Sequence, residues 1–202
     1  MKALVIIDLQ NDFIPGGSLA VHGGDEIVPI INELQHKFDL VIATQDWHPL
    51  DHSSFAENHS GNKEFEVIKL NGIDQTLWPV HCVQNSKGAA FSPELNSEKI
   101  EAIFRKGTNK EIDSYSGFYD NAHLKSTGLS GYLKDKGVTK LYFCGLAADY
   151  CVYYSIMDAL NEGFEAILIE DATKAISEEK FIEAKKDILR AGGGIIISKE
   201  LD

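Results

Sequence analysis

Short, almost unbroken apolar runs recur along the chain, separated by polar stretches. They occupy residues 3–7, 40–43, 100–104, 141–144, 166–169 and 194–197. Each is rich in Val, Ile and Leu and lacks regular polar alternation, the pattern of strands covered on both faces of a parallel sheet. Helical period appears between several of them. Ile27, Ile30, Ile31, Leu34 and Phe38 follow an i, i+3, i+4, i+7, i+11 spacing, and Val152, Ile156, Ala159 and Leu160 an i, i+4, i+7, i+8 spacing before Gly163, a helix stop. Ser177 is placed to cap a third helix, with Glu178 and Glu179 in its first turn and Phe181, Ala184 and Ile188 on one face. Leu129, Tyr132 and Leu133 suggest a fourth, weakened by Gly128 and Gly131. Strand and helix in alternation predict an α/β fold with helices on both faces of a mostly parallel sheet. Residues 47–93 break the scheme: they are polar, carry four of the seven histidines and offer only residues 65–70 as a short strand. An irregular insertion of that length inside a domain is expected to be functional, given its tryptophans and clustered histidines.

Composition narrows the function classes. The 202 residues suit one domain, and 44% apolar with 25% charged residues is a globular profile. A net charge of −12 argues against nucleic-acid and anionic-membrane partners, which need a basic face. No apolar stretch approaches the ~20 residues of a membrane span, and the N-terminal residues lack a signal-peptide pattern. Three cysteines, Cys82, Cys144 and Cys151, are an odd number without an export signal, so a free thiol in the reducing cytoplasm is expected.

Ligands of open parallel sheets bind at the carboxyl ends of the strands. Asp8 follows the first apolar run, Asp46 and His48 the second, Lys106 the third, and residues 145–151 (GLAADYC) the fourth. Cys151 is the candidate nucleophile: a helix start and a nearby Lys106 both favour thiolate, and Asp8 can move protons. Cys144, mid-strand, reads as core. Asp46, His48 and His81 form a mixed O/N set compatible with zinc, iron or manganese, with open positions for water or substrate. His52 is a candidate fourth ligand or supporting partner, Ser53 or Ser54 can hold a metal-bound water, and Cys82 is an alternative soft ligand. Phe13 and Trp78 suit a planar ligand, although core packing serves them equally well on position alone.

These segments resemble the nicotinamidase (pyrazinamidase) family of the isochorismatase-like cysteine hydrolases. The resemblance runs nearly end to end and is carried by VIIDLQNDF (5–13), TQDWHP (44–49), LNGIDQTLWPVHCV (70–83), Lys106-Gly107, DSYSGF (113–118) and GLAADYCV (145–152). It implies a three-layer α/β/α sandwich around a six-stranded sheet, formed by a single domain over 1–202 with a metal-site insertion at about 47–93. It implies a triad of Asp8, Lys106 and Cys151 and metal ligands Asp46, His48 and His81. It also implies a cis peptide between Leu146 and Ala147, an oxyanion hole at the Ala147 and Cys151 N–H groups, and a ring pocket of Phe13, Trp78 and Tyr115. Tyr150 and Val80 occupy positions where members vary. The activity implied is deamidation of nicotinamide to nicotinic acid and ammonia through a cysteine thioester, with one divalent metal, zinc first and iron or manganese as alternatives. The expected partner is a small molecule; a homo-oligomer is left open. The alternatives are a related hydrolase of another small amide, hydrolysis by a metal-bound hydroxide with Cys151 a bystander, or a non-catalytic metal- or ligand-binding protein.

Overall fold

A computed structural model describes residues 1–201. The chain runs β1 (Lys2–Ile7), α1 (Val28–Leu34), β2 (Leu40–Asp46), a hairpin of β3 (Val67–Leu70) and β4 (Ile73–Thr76), β5 (Ile100–Lys106), α2 (Leu129–Asp135), β6 (Lys140–Leu146), α3 (Tyr153–Asn161), β7 (Glu165–Lys174), α4 (Glu178–Arg190) and β8 (Gly194–Ile196). Six of these strands form one sheet in the order β5-β2-β1-β6-β7-β8, and every adjacent pair is parallel.

Alternation along β1 explains the two covered faces. Leu4 and Ile6 enter one core with α1 residues Val28, Ile31 and Leu34. Ala3, Val5 and Ile7 enter the other, with Leu129, Leu133, Ile156, Phe181 and Ile188 from α2, α3 and α4. The result is a three-layer α/β/α sandwich, α1 on one side and the remaining helices on the other. Ser177 caps α4, its Oγ accepting the Lys180 N–H at 3.3 Å. At the close of α3, Phe164 N–H donates to Ala159 O at 3.0 Å across Gly163, whose φ is 88°.

Several strands extend past their apolar runs. Asp46 and Lys106 are therefore the last residues of β2 and β5, not residues of the following loops. Lys106 pairs in register with Asp46. The polar stretch after β2 holds a 3₁₀ turn (Ala56–Asn58) and the β3–β4 hairpin. β4 was not foreseen, because its sequence IDQT carries little apolar pattern. The strand order reverses between β1 and β6, which opens a crevice at their carboxyl ends. Gly145 lets β6 run there against β1: its φ is 106°, and a Cβ would lie 2.1 Å from Ile7 O.

Candidate active site

Asp8 leaves β1 at that crevice with φ 44° and no solvent exposure. Its Oδ1 accepts the Thr44 hydroxyl at 2.7 Å, while Thr44 Oγ1 accepts the Asp8 N–H at 3.2 Å. Oδ2 lies 2.9 Å from Nζ of Lys106 but has no aligned hydrogen-bond donor. The Lys106 ammonium also reaches Asp46 Oδ1 at 3.0 Å, Ser114 O at 2.9 Å and Cys151 Sγ at 3.4 Å. Carboxylate, ammonium and thiol, scattered along the chain, thus meet at one point. Cys151 sits in a π-helical turn over residues 148–152 that leads into α3, rather than in the first turn of the α-helix itself.

Burial dominates the electrostatics here. It raises the Asp8 carboxyl above its ordinary value, against the pull of Lys106. It also pushes the Cys151 thiol well up, with Lys106 opposing and the Asp8 and Asp46 charges adding to the rise. The expected net stabilisation of thiolate is reversed for this reason: one shared ammonium does not offset full desolvation beside two carboxylates. For Lys106 burial favours the neutral form, but Asp46 and Asp8 outweigh it and hold the ammonium charged.

The second cluster adjoins the first through Asp46. Burial works against the Asp46 carboxylate, yet the His48 and Lys106 charges keep it well below the usual carboxylate range. Its Oδ2 is 2.9 Å from His48 Nε2 and 3.3 Å from His81 Nε2. Each imidazole is oriented from behind. His48 Nδ1 is 2.9 Å from Gly107 O, and His81 Nδ1 is 2.7 Å from Pro79 O. A carbonyl only accepts, so each Nδ1 donates to its carbonyl, and this turns both Nε2 atoms toward Asp46. Two oriented imidazoles and a carboxylate, with ligand atoms within 4.8 Å of one another and buried, fit a divalent cation. Gly107 is required for this packing: at φ 64°, a Cβ there would lie 2.3 Å from His48 Cε1.

His52 does not join that set. Its Nδ1 is 2.7 Å from Ser54 Oγ, its ring lies 4.3 Å from that of His48, and its Nε2 is buried without a partner. It groups instead with His48 and Asp113. Ser53 is bonded through its backbone, its N–H donating to Lys110 O and its carbonyl accepting from His59 Nε2. Cys82 is buried, its N–H donating to Asp12 Oδ2 at 2.7 Å, and it belongs to neither cluster.

Phe13, Trp78 and Tyr115 line a cavity that reaches Cys151, Ala147, His81 and Asp46. Trp78 Nε1 donates to the Tyr115 hydroxyl at 3.3 Å. The Leu146–Ala147 peptide beside the Cys151 turn is cis. Sequence reasoning missed Leu19 and Ile176 on the same cavity. It also missed Gln10, whose side-chain amide accepts the Asp46 N–H and donates to the Asp46 carbonyl, both at 2.8 Å. A buried glutamine two residues past a strand-end aspartate carries no local signal of that contact.

A buried thiol, ammonium and carboxylate at the sheet's switch point, beside side chains that fit a divalent cation, form a candidate hydrolase site. The family model for the isochorismatase domain matches residues 2–200. A nicotinamidase from Acinetobacter baylyi is 44% identical over 98% of this chain and 94% of its own. The solved Acinetobacter baumanii nicotinamidase/pyrazinamidase superposes with a TM-score of 0.97 at 44% identity, covering 100% of this chain and 98% of that one. A Pyrococcus horikoshii pyrazinamidase, solved in complex with zinc, superposes with a TM-score of 0.80 at 38% identity, covering 97% and 98%. The chain belongs to the isochorismatase family and, within it, to the nicotinamidases.

Proposed function

We propose that this protein is an amide hydrolase that converts nicotinamide to nicotinic acid and ammonia through a thioester on Cys151. The carrying observation is the position of Lys106 Nζ, within 3.4 Å of Cys151 Sγ and within 3.0 Å of both Asp8 and Asp46, beside an aromatic cavity that opens on the thiol. Asp46, His48 and His81 would hold one divalent cation, zinc in this proposal with iron or manganese as alternatives, which when bound orients the substrate's ring nitrogen.

The chain's own residues carry the chemistry. Phe13, Trp78 and Tyr115 take the planar ring and leave the carboxamide carbon facing Sγ. Asp8 accepts the thiol proton as sulfur adds to that carbon. Burial raises both groups, so the proton passes between partners neither of which is strongly held ionised. The Ala147 and Cys151 N–H groups receive the oxyanion, where losing one donor costs ~10²–10³ in rate. Asp8 then returns its proton to the leaving nitrogen, and ammonia departs. In the second half Asp8 takes a proton from water, water adds to the thioester carbon, and the sulfur leaves and is reprotonated by Asp8. Lys106 stays charged throughout and fixes the positions of Asp8 and the sulfur.

Residues 1–202 act in this proposal as one domain, with the 47–93 segment as the insertion that supplies His48, His81 and Trp78. No helix among the described residues is long and apolar enough to cross a membrane, and the charge and thiol content favour a cytoplasmic setting. The test is ammonia release from nicotinamide before and after chelation, with metal analysis of the same sample. Turnover lost on chelation and restored by one added metal is expected; no ammonia from the metal-loaded protein overturns the assignment.

A further inference from the structure

The space between the aromatic side chains and Cys151 is about 30 Å³. At ~10–15 Å³ for each water-sized site, that is two or three water positions, a narrow cavity. Which wall is held least firmly therefore decides how large a planar substrate reaches the sulfur. Most walls are tied from several sides. Tyr115's hydroxyl accepts from Trp78 Nε1 and from Gln75 Nε2, at 3.3 and 3.2 Å. The Trp78 ring meets that of Tyr115 edge-on at 6.2 Å, and the Phe13 ring lies 5.5 Å from that of His81. Tyr150 is held differently. Its ring meets Trp78 edge-on at 4.8 Å, and its hydroxyl accepts from Nζ of Lys180 at 2.6 Å, on the outside of the pocket. The same ammonium lies 4.9 Å from the Tyr150 ring centre.

Lys180 has a firm base for this. Asp149, the residue before Tyr150, accepts the Ile176 and Ser177 N–H groups at 2.9 and 3.0 Å, and Ser177 caps α4 through the Lys180 N–H. The start of α4 is thus stapled to the same turn that carries Tyr150 and Cys151.

Resting on the pyridine-carboxamide reading above, we infer that Lys180 is a specificity-determining positioning residue: it latches Tyr150 against Trp78 and so limits the pocket to single-ring carboxamides. With the latch closed, the outer wall stays beside Trp78. With it released, the phenol ring swings outward about its side-chain torsions, and a fused two-ring carboxamide gains access to the thiol.

Two substitutions isolate the link. Lys180→Met removes the ammonium and keeps the stem; Tyr150→Phe removes only the acceptor. Ammonia release is measured for nicotinamide and for quinoline-3-carboxamide, with kcat and KM separated. Each variant is expected to raise the quinoline-to-nicotinamide ratio of kcat/KM about fivefold, the scale of one exposed charged contact, mainly through KM. The double variant is expected to add nothing further, and Lys180→Arg to restore the wild-type ratio. An unchanged ratio in Lys180→Met, or effects that add in the double variant, overturns the latch. If the wild type releases no ammonia from nicotinamide, the reaction is wrong but the latch is still decided. Titration with nicotinate and with quinoline-3-carboxylate, read by tryptophan fluorescence, must then show the same fivefold relative gain for the two-ring ligand in Lys180→Met; equal affinities in variant and wild type overturn it.

Discussion

The Nζ of Lys106 lies 3.0 Å from Oδ1 of Asp46 and 2.9 Å from Oδ2 of Asp8, in a setting almost closed to solvent. One cation thus compensates two buried carboxylates and joins the thiol site to the candidate metal-ligand set. Lys106→Met leaves both carboxylates without a counter-charge. A destabilisation of ~3–5 kcal/mol is expected, the cost of breaking a buried pair, read as a lower urea midpoint. Ammonia release is expected to fall by at least ~10²–10⁴-fold, since Asp8 loses its orientation. A variant as stable as the wild type would show that the two carboxyls protonate without consequence.

Cys151→Ala separates the thioester route from hydrolysis by a metal-bound hydroxide. The side chain touches Lys106 but none of the Asp46, His48 and His81 ligand atoms is removed. Metal content is expected to match the wild type while turnover disappears, and intact-mass analysis under substrate is expected to find an acyl adduct on the wild type and none on the variant. Turnover retained by the alanine variant would transfer the chemistry to the cation site.

Gly107→Ala tests how tightly His48 is set. The added Cβ would lie 2.3 Å from His48 Cε1, on backbone whose φ of 64° already disfavours a side chain. The ring must rotate away and lose its bond to the Gly107 carbonyl. Metal affinity, measured by competition with a chromogenic chelator, is expected to drop ~10–100-fold, the usual effect of losing a group that orients a ligand. Unchanged affinity would place the cation elsewhere.

Glu162 offers a pH test away from the site. Hydrogen bonds from Lys134, Ser130 and Tyr119 hold its carboxyl down to about 2 from 4.5. Because the folded carboxyl titrates below the unfolded one, its stabilisation is complete above about pH 4.5 and is lost as pH falls toward 2. Solvent screening reduces it to about 1 kcal/mol, or ~2–4 °C in Tm for a chain of this size. Glu162→Gln should therefore melt below the wild type at pH 7, with the gap closing on acidification. A gap that persists at pH 2 to 3 would assign the effect to packing.

Much of this architecture was legible before folding. The runs at 3–7 and 141–144 mark strands because only a strand buried on both faces can afford to be continuously apolar, and Ser177 marks a helix start because its hydroxyl satisfies a free N–H. The histidine-rich stretch after β2 was legible as unusual but not as a path. β4 has no apolar period, and His52 turned its Nδ1 to Ser54 rather than toward Asp46 and His81. Gln10 and Asp12 were opaque for a different reason: their partners, Asp46 and Cys82, lie 36 and 70 residues away.

The sequence by itself determined the order of strands and helices, the two covered faces of the sheet, and which chemical groups follow which strand. Those are properties of local periodicity and residue type. Only the tertiary structure decided that β5 lies beside β2, so that one ammonium serves both Asp46 and Asp8, and that the Cys151 thiol is raised rather than lowered. Coulombic and desolvation energies depend on separations of a few ångströms and on the exclusion of water, and neither exists until the distant segments have packed.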